Sequence, residues 1–116
     1  MGFWEVYGLV SGRNPPPHRP RIHIVTADLR DETQCAAILE ELRPDILLHL
    51  AWNLEKSDFL RSPANIQWLE ISLRLLRIFS ECGGKRFIFA GSSAEYGYRQ
   101  GLCTENGEAH PDDLYG

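Results

Sequence analysis

Residues 45–52 read DILLHLAW, a nearly continuous apolar run between Pro44 and Asn53. It is far short of the ~20 residues that span a bilayer. A strand with one wet face alternates apolar and polar residues, so this run predicts a strand buried on both faces of a parallel sheet. The flanks agree with that reading. Upstream, Asp31 can cap a helix whose third residue is Gln34, and Cys35, Ile38, Leu39 and Leu42 fall at i, i+3, i+4 and i+7 on one face. Pro44 ends that helix at Arg43. Downstream, residues 53–61 connect to Ser62-Pro63, an N-cap followed by a proline in the first turn, where a missing N–H costs nothing. The long helix that follows has Ile66, Leu69, Leu73, Leu76 and Phe79 as its expected core stripe. Glu70 and Arg74 sit at the favourable i, i+4 spacing, and Gly83 is placed to close the C-terminus. Residues 87–90, FIFA, give a further strand, then Gly91-Ser92-Ser93 and a Gly-rich loop running to Tyr115-Gly116.

At the front, residues 5–10, EVYGLV, form a β-rich run that ends in the breakers Ser11-Gly12-Arg13-Asn14-Pro15-Pro16-Pro17. Residues 21–27, RIHIVTA, give a second strand before the turn Asp28-Leu29-Arg30-Asp31. The order strand, loop, strand, helix, strand, long helix, strand, loop is the alternation of a parallel α/β sheet.

Composition narrows the function. The chain has 116 residues, 43% of them hydrophobic, which describes one globular domain at most, with no room for a separate substrate domain. Twelve Lys and Arg against 16 Asp and Glu give a net charge of −4, and the basic residues are scattered, so no nucleic-acid partner is expected. Cys35, Cys82 and Cys103 are odd in number and widely spaced, which fits neither a disulfide framework nor a zinc site. No metal, membrane span or signal segment is expected, and the cytoplasm is the default location. His49 reads as a buried, hydrogen-bonded histidine, and Trp52 and Trp68 as packing residues.

In open parallel sheets the ligand crevice lies beyond the carboxyl ends of the strands. That directs attention to Ser11 and Arg13, Asp28 and Leu29, Ala51 and Trp52, and the segment Gly91 to Ala94. Taken together with Asn65 near the start of the long helix and the terminal Tyr-Gly, these pieces resemble the extended short-chain dehydrogenase/reductases, the NAD-dependent epimerase/dehydratase family. In that family the fourth strand ends in His-x-Ala followed by Ala, Gly or Trp, and the fifth leads into Ser-Ser or Ser-Thr and then Tyr-Gly. The resemblance implies a partial doubly wound, Rossmann-like sheet over residues 1–116, a partial NAD(P)-binding domain lacking the first strand and the Gly-rich loop. It places the catalytic serine on Ser92, with Ser93 as the adjacent alternative, and the acid/base tyrosine on Tyr115. It also places Asp28 and Leu29 at the adenine, Leu50, Ala51 and Trp52 beside the nicotinamide ribose and pyrophosphate, and Asn65 near the site.

Three departures shape the expectation. The family's lysine, four residues beyond the tyrosine, has no counterpart here, because the sequence stops at Gly116. Gly8 and Gly12 lack the Gly-x-x-Gly-x-x-Gly spacing that presents backbone N–H groups to a pyrophosphate. Without the first strand, EVYGLV and DILLHLAW must either pair directly or leave backbone groups unpaired. The acids of the 4,6-dehydratases fall on Ser93 and Ala94, with Glu95 one residue late, which disfavours that reaction. An epimerase or carbonyl reductase acting on a nucleotide-linked sugar suits the sequence better. At the end of the first visible strand, Ser11 and Arg13 stand without an acid, which tilts the cofactor toward NADP and leaves NAD open. The expectation is a fragment of such an enzyme, inactive in isolation. The competing reading is a non-catalytic interaction or regulatory module, a homo-oligomer among the options, whose exposed strand edges pair with another chain.

Overall fold

The computed structural model describes residues 4–12, 20–54, 59–98 and 101–116. Four strands, β1 (Val6–Val10), β2 (Ile22–Thr26), β3 (Ile46–His49) and β4 (Arg86–Phe89), alternate with two helices, α1 (Glu32–Leu42) and α2 (Ala64–Glu81). Short 3-10 turns cover Phe59–Arg61 and Ser93–Tyr96. The chain divides into two compact units, Met1–Arg43 and Pro44–Gly116. The small α/β architecture with parallel strands is the one the sequence predicts.

In the first unit β1 and β2 run parallel, from Val6 opposite Ile22 to Val10 opposite Thr26. The Ala27 N–H donates to Val10 O at 2.9 Å and extends the ladder. The predicted cap of α1 is present: the Asp31 carboxylate accepts from the Gln34 N–H at 3.0 Å. The helix ends on Arg43 in a left-handed conformation (φ 42°), its N–H bonded to Leu39 O, just before Pro44. Ala27, Cys35 and Leu39 are this unit's buried apolar residues.

In the second unit β3 and β4 are parallel, with Leu47 opposite Phe87 and His49 opposite Phe89. These four residues share one face of the pair, since side chains alternate along a strand. That face meets α2: Phe79 packs edge-on against Phe87 with ring centroids 5.9 Å apart, and His49 reaches Ser72. Ile71, Leu75, Ile78 and Phe79 of α2 are buried there.

Two sequence expectations are corrected. DILLHLAW is not buried on both faces. Ile46 and Leu48 on β3 and Ile88 on β4 are exposed, because α2 covers one face of the pair and no second helix among the described residues of this unit covers the other. The core stripe of α2 is also displaced. Ile66, Leu69, Leu73 and Leu76 point to solvent, between 41% and 57% exposed, while Asn65, Ser72 and Ile71 turn inward with Leu75, Ile78 and Phe79. The sequence left EVYGLV and DILLHLAW two alternatives, and among the described residues β1 takes β2 as its strand neighbour and β3 takes β4.

The C-terminus of α2 explains a glycine pair. The Gly84 N–H reaches back to Phe79 O and the Gly83 N–H to Ser80 O, both at 3.0 Å, with Gly83 at φ 86°. This is a Schellman closure, which favours glycine at the left-handed position. A Cβ on Gly84 would run into the Phe79 ring. Gly84→Ala is therefore expected to displace Phe79 from the Phe87 contact and to cost ~1–3 kcal/mol, the range for overpacking a core. Urea unfolding of the variant against the parent chain measures it.

Candidate active site

The residues beyond the strand ends are considered unit by unit. In the first unit, Ser11 follows β1 and is exposed, and Gly12 turns the chain at φ 79°. Arg13 lies outside the described residues. Asp28 and Leu29 follow β2 as expected, and Asp28 is heavily engaged. Its N–H donates to Gln34 Oε1 at 2.7 Å. Its carboxylate takes the Arg30 N–H at 3.0 Å and the Arg30 guanidinium, with Nη2 to Oδ2 at 2.6 Å.

In the second unit the structure gathers several predicted residues. The Trp52 indole N–H donates to Asn65 Oδ1 at 3.0 Å. The Asn65 amide, only 1% exposed, donates in turn to Phe59 O at 2.7 Å and Leu60 O at 3.2 Å. The Trp52 ring lies 6.1 Å from the Tyr115 ring in an edge contact, and Phe59 meets Tyr115 at 5.0 Å from the other segment. Phe89 and Trp68 complete the cluster around Trp52. Leu50 is not part of it: this side chain is 67% exposed. Ala51 is half-buried.

Ser92 caps the 3-10 turn after β4, its hydroxyl oxygen accepting from the Ala94 N–H at 3.2 Å. Ser93 is exposed. The segment carrying Tyr115 returns to this turn. The His110 N–H donates to Glu95 O at 2.8 Å, and the Tyr98 N–H donates to Asp112 Oδ2 at 2.7 Å. Asp113 Oδ1 accepts from the Tyr115 and Gly116 N–H groups, and Gly116 lies against the Ala94 carbonyl. Ser92 and Tyr115 thus stand on two segments that the fold ties together, and no hydrogen bond among the described residues joins their side chains. Burial and the Glu95 carboxylate push the Tyr96 phenol above its ordinary pKa.

Sequence reasoning missed Phe59 and Phe89 as neighbours of the site. It missed Asp113 as well, although an aspartate two residues before Tyr115 is the spacing of an Asx turn. His49 is as expected, buried at 3% exposure with Nε2 2.9 Å from Ser72 Oγ. The Ser72 hydroxyl donates to Trp68 O at 2.7 Å, so His49 Nε2 carries the proton and donates to Ser72. Among the described residues no group of three or more His, Cys, Asp and Glu is placed to hold a metal ion. None of their helices is long and apolar enough to cross a membrane.

The NAD dependent epimerase/dehydratase family profile matches residues 2–116. The chain belongs to this family. Among solved structures, this family member resembles a candidate epimerase from Burkholderia cenocepacia J2315 at 28% identity and a TM-score of 0.69, over 97% of this chain and 37% of that one. It also resembles the Bordetella bronchiseptica enzyme WbmG, solved with NAD and UDP, at 17% identity and a TM-score of 0.73, over 97% of this chain and 37% of the enzyme. A third relative in structure is the UDP-glucose-4-epimerase of Stenotrophomonas maltophila, solved with NAD and a formylated UDP-arabinopyranose. The identity there is 23% and the TM-score 0.65, over 82% of this chain and 29% of that one. The chain spans about a third of the length of these proteins. No curated protein matches the sequence.

The family's dinucleotide needs backbone N–H donors for its pyrophosphate, which a helix N-terminus supplies when left open. Here α1 begins with the carboxylates of Asp31 and Glu32, and the first of these already takes an N–H. At α2 the Ala64 N–H points to Ser62 Oγ, the Asn65 N–H to Ser62 O and the Ile66 N–H to Pro63 O. The two described helices do not fit the pyrophosphate.

Burial away from charge pushes the His49 imidazole below its ordinary pKa. The folded state then binds this proton less readily than the unfolded chain does, so the contribution is complete above the ordinary histidine value of ~6.5 and is lost as the pH falls below it. The urea midpoint is expected to drop between pH 7 and pH 5, and to drop less in His49→Leu.

Proposed function

We propose that residues 1–116 are the proton-exchanging part of an NAD(P)-dependent epimerase or carbonyl reductase for a nucleotide-linked sugar, and that they do not turn over substrate by themselves. The family match across residues 2–116 carries this reading. Two of the similar structures hold UDP or a UDP-sugar beside NAD, which supports the substrate class. Tyr115 exchanges a proton with a hydroxyl or carbonyl oxygen of the sugar, and Ser92 hydrogen-bonds the same oxygen. The Ser92 oxygen accepts from the Ala94 N–H, which orients the hydroxyl and leaves its own proton to donate. Ser93 is the alternative at the same turn. In this reading Ser11, Arg13, Asp28 and Leu29 are the nucleotide-binding candidates of the first unit, and Leu50, Ala51 and Trp52 are those of the second. The free thiols Cys35, Cys82 and Cys103 favour the cytoplasm.

Titration calorimetry of the 116-residue chain is expected to show no saturable binding of NAD or NADP up to about 1 mM, where binding free energy is about −4 kcal/mol. A sustained NAD(P)H-dependent rate with any nucleotide sugar would overturn the reading of an inactive chain.

The exposed stripe of α2 favours a second reading, a module that assembles with a second copy of itself. Ile66, Leu69, Leu73 and Leu76 follow the 3-4-3 spacing of a helix-pairing seam. Two copies crossing antiparallel near Leu73 bring Glu70 of each close to Arg77 of the other. Light scattering is expected to find a dimer, and Leu73→Glu, at a position 57% exposed in the single chain, to return it to the 13.2 kDa monomer with its circular dichroism unchanged. A parent chain that is monomeric at high concentration sinks this reading.

A further inference from the structure

Family resemblance sets Asn65 beside the cofactor, and the structure gives it different work. Its side chain is 1% exposed. Both amide protons are committed, to Phe59 O and Leu60 O, and Oδ1 accepts from the Trp52 indole. No donor is left for a ligand. What the amide holds is informative. Among the described residues Trp52 and Phe59 are the rings in contact with Tyr115, and Asn65 bonds the indole N–H of the first and the backbone carbonyl of the second.

We propose that Asn65 is a positioning residue for Tyr115, acting through Trp52 and Phe59. This rests on the reading of Tyr115 as the proton-exchanging group. The phenol hangs from a loop, between exposed Leu114 and Gly116, and its local backbone contacts are the two N–H bonds to Asp113. Those bonds fix the turn but not the ring. The ring is bounded by two edge-on aromatic contacts at interplanar angles of 74° and 82°, a geometry that aromatic quadrupoles favour. Such contacts orient Tyr115 only if the partner rings are themselves fixed. A single buried amide with three satisfied bonds holds the Trp52 ring directly and the backbone that carries Phe59, because loss of any one bond strands a polar group in the interior.

The test is NMR on the 116-residue chain with labelled tyrosine and histidine, the Tyr115 signals assigned with Tyr115→Phe. Asn65→Ala releases the Trp52 indole and the backbone that carries Phe59, and the Tyr115 ring protons are expected to lose their ring-current displacement while the His49 signals, set by Phe87 and Phe89, stay. Trp52→Phe keeps an aromatic ring, smaller than the indole, and removes the bond to Asn65, and is expected to move the Tyr115 signals part of the way. Unmoved Tyr115 signals in Asn65→Ala overturn the proposal. So does a general loss of dispersion in Asn65→Ala together with unmoved Tyr115 signals in Trp52→Phe. Neither readout involves substrate or turnover, so the proposal about position stands or falls separately from the chemistry assigned to Tyr115.

Discussion

Polar side chains that enter the interior of the second unit must find partners there, and this requirement fixes how α2 lies on β3 and β4. His49 occupies the middle of an apolar face, 3% exposed, and its one donor goes to Ser72 on α2. Asn65, nearly two turns earlier on the helix, goes inward to Trp52 and to the chain around Phe59. A rotation of α2 that brought Ile66, Leu69, Leu73 and Leu76 onto the sheet would bury comparable apolar area. It would also turn Ser72 away from His49 and Asn65 away from three partners. An unpaired buried polar group costs about 1–3 kcal/mol, so several such losses outweigh any difference in apolar burial between the two faces.

This accounts for the part of the fold that was not legible in the sequence. Element order, the Asp31 cap, the Arg43–Pro44 stop and the glycine closure of α2 are local signals, and each is read from a few neighbouring residues. The choice of helix face is not local. α2 carries apolar residues on two adjoining faces, and helical periodicity is satisfied by either. The deciding information sits in His49, more than twenty residues upstream, which needs a hydroxyl or amide opposite it. Counting polar partners for His49 would have selected the Ser72 face. The burial of residues 45–52 was misjudged for a related reason: an apolar run reports what a strand tolerates on each side, and among the described residues of the second unit the cover lies on the α2 side.

The candidate site divides in the same way. Ser92 and Tyr115 are found by motif, and the structure sets them on segments tied together through Glu95, His110, Asp112 and the Gly116 contact with Ala94. The aromatic surroundings of Tyr115 were invisible, because Trp52, Phe59 and Phe89 come from three separate stretches and none has a spacing that links it to the tyrosine. Asn65 was legible as a candidate at the start of α2, but its burial and its three partners are visible only in coordinates.

A helix start can satisfy its own N–H groups or hold an anion, and the same few donors serve either purpose. In α1 the donors face Asp31 and the charge of Glu32, so the positive end of the helix dipole is already neutralised and a second anion meets repulsion. In α2 they turn back on Ser62 and Pro63, which anchors the helix beside the Phe59–Arg61 turn. Both arrangements stabilise the units in which they occur, and both exclude a pyrophosphate. At both helix starts the donors are spent within the unit that carries them. The buried Asn65 amide is spent in the same way, its bonds going to Trp52, Phe59 and Leu60 inside its own unit.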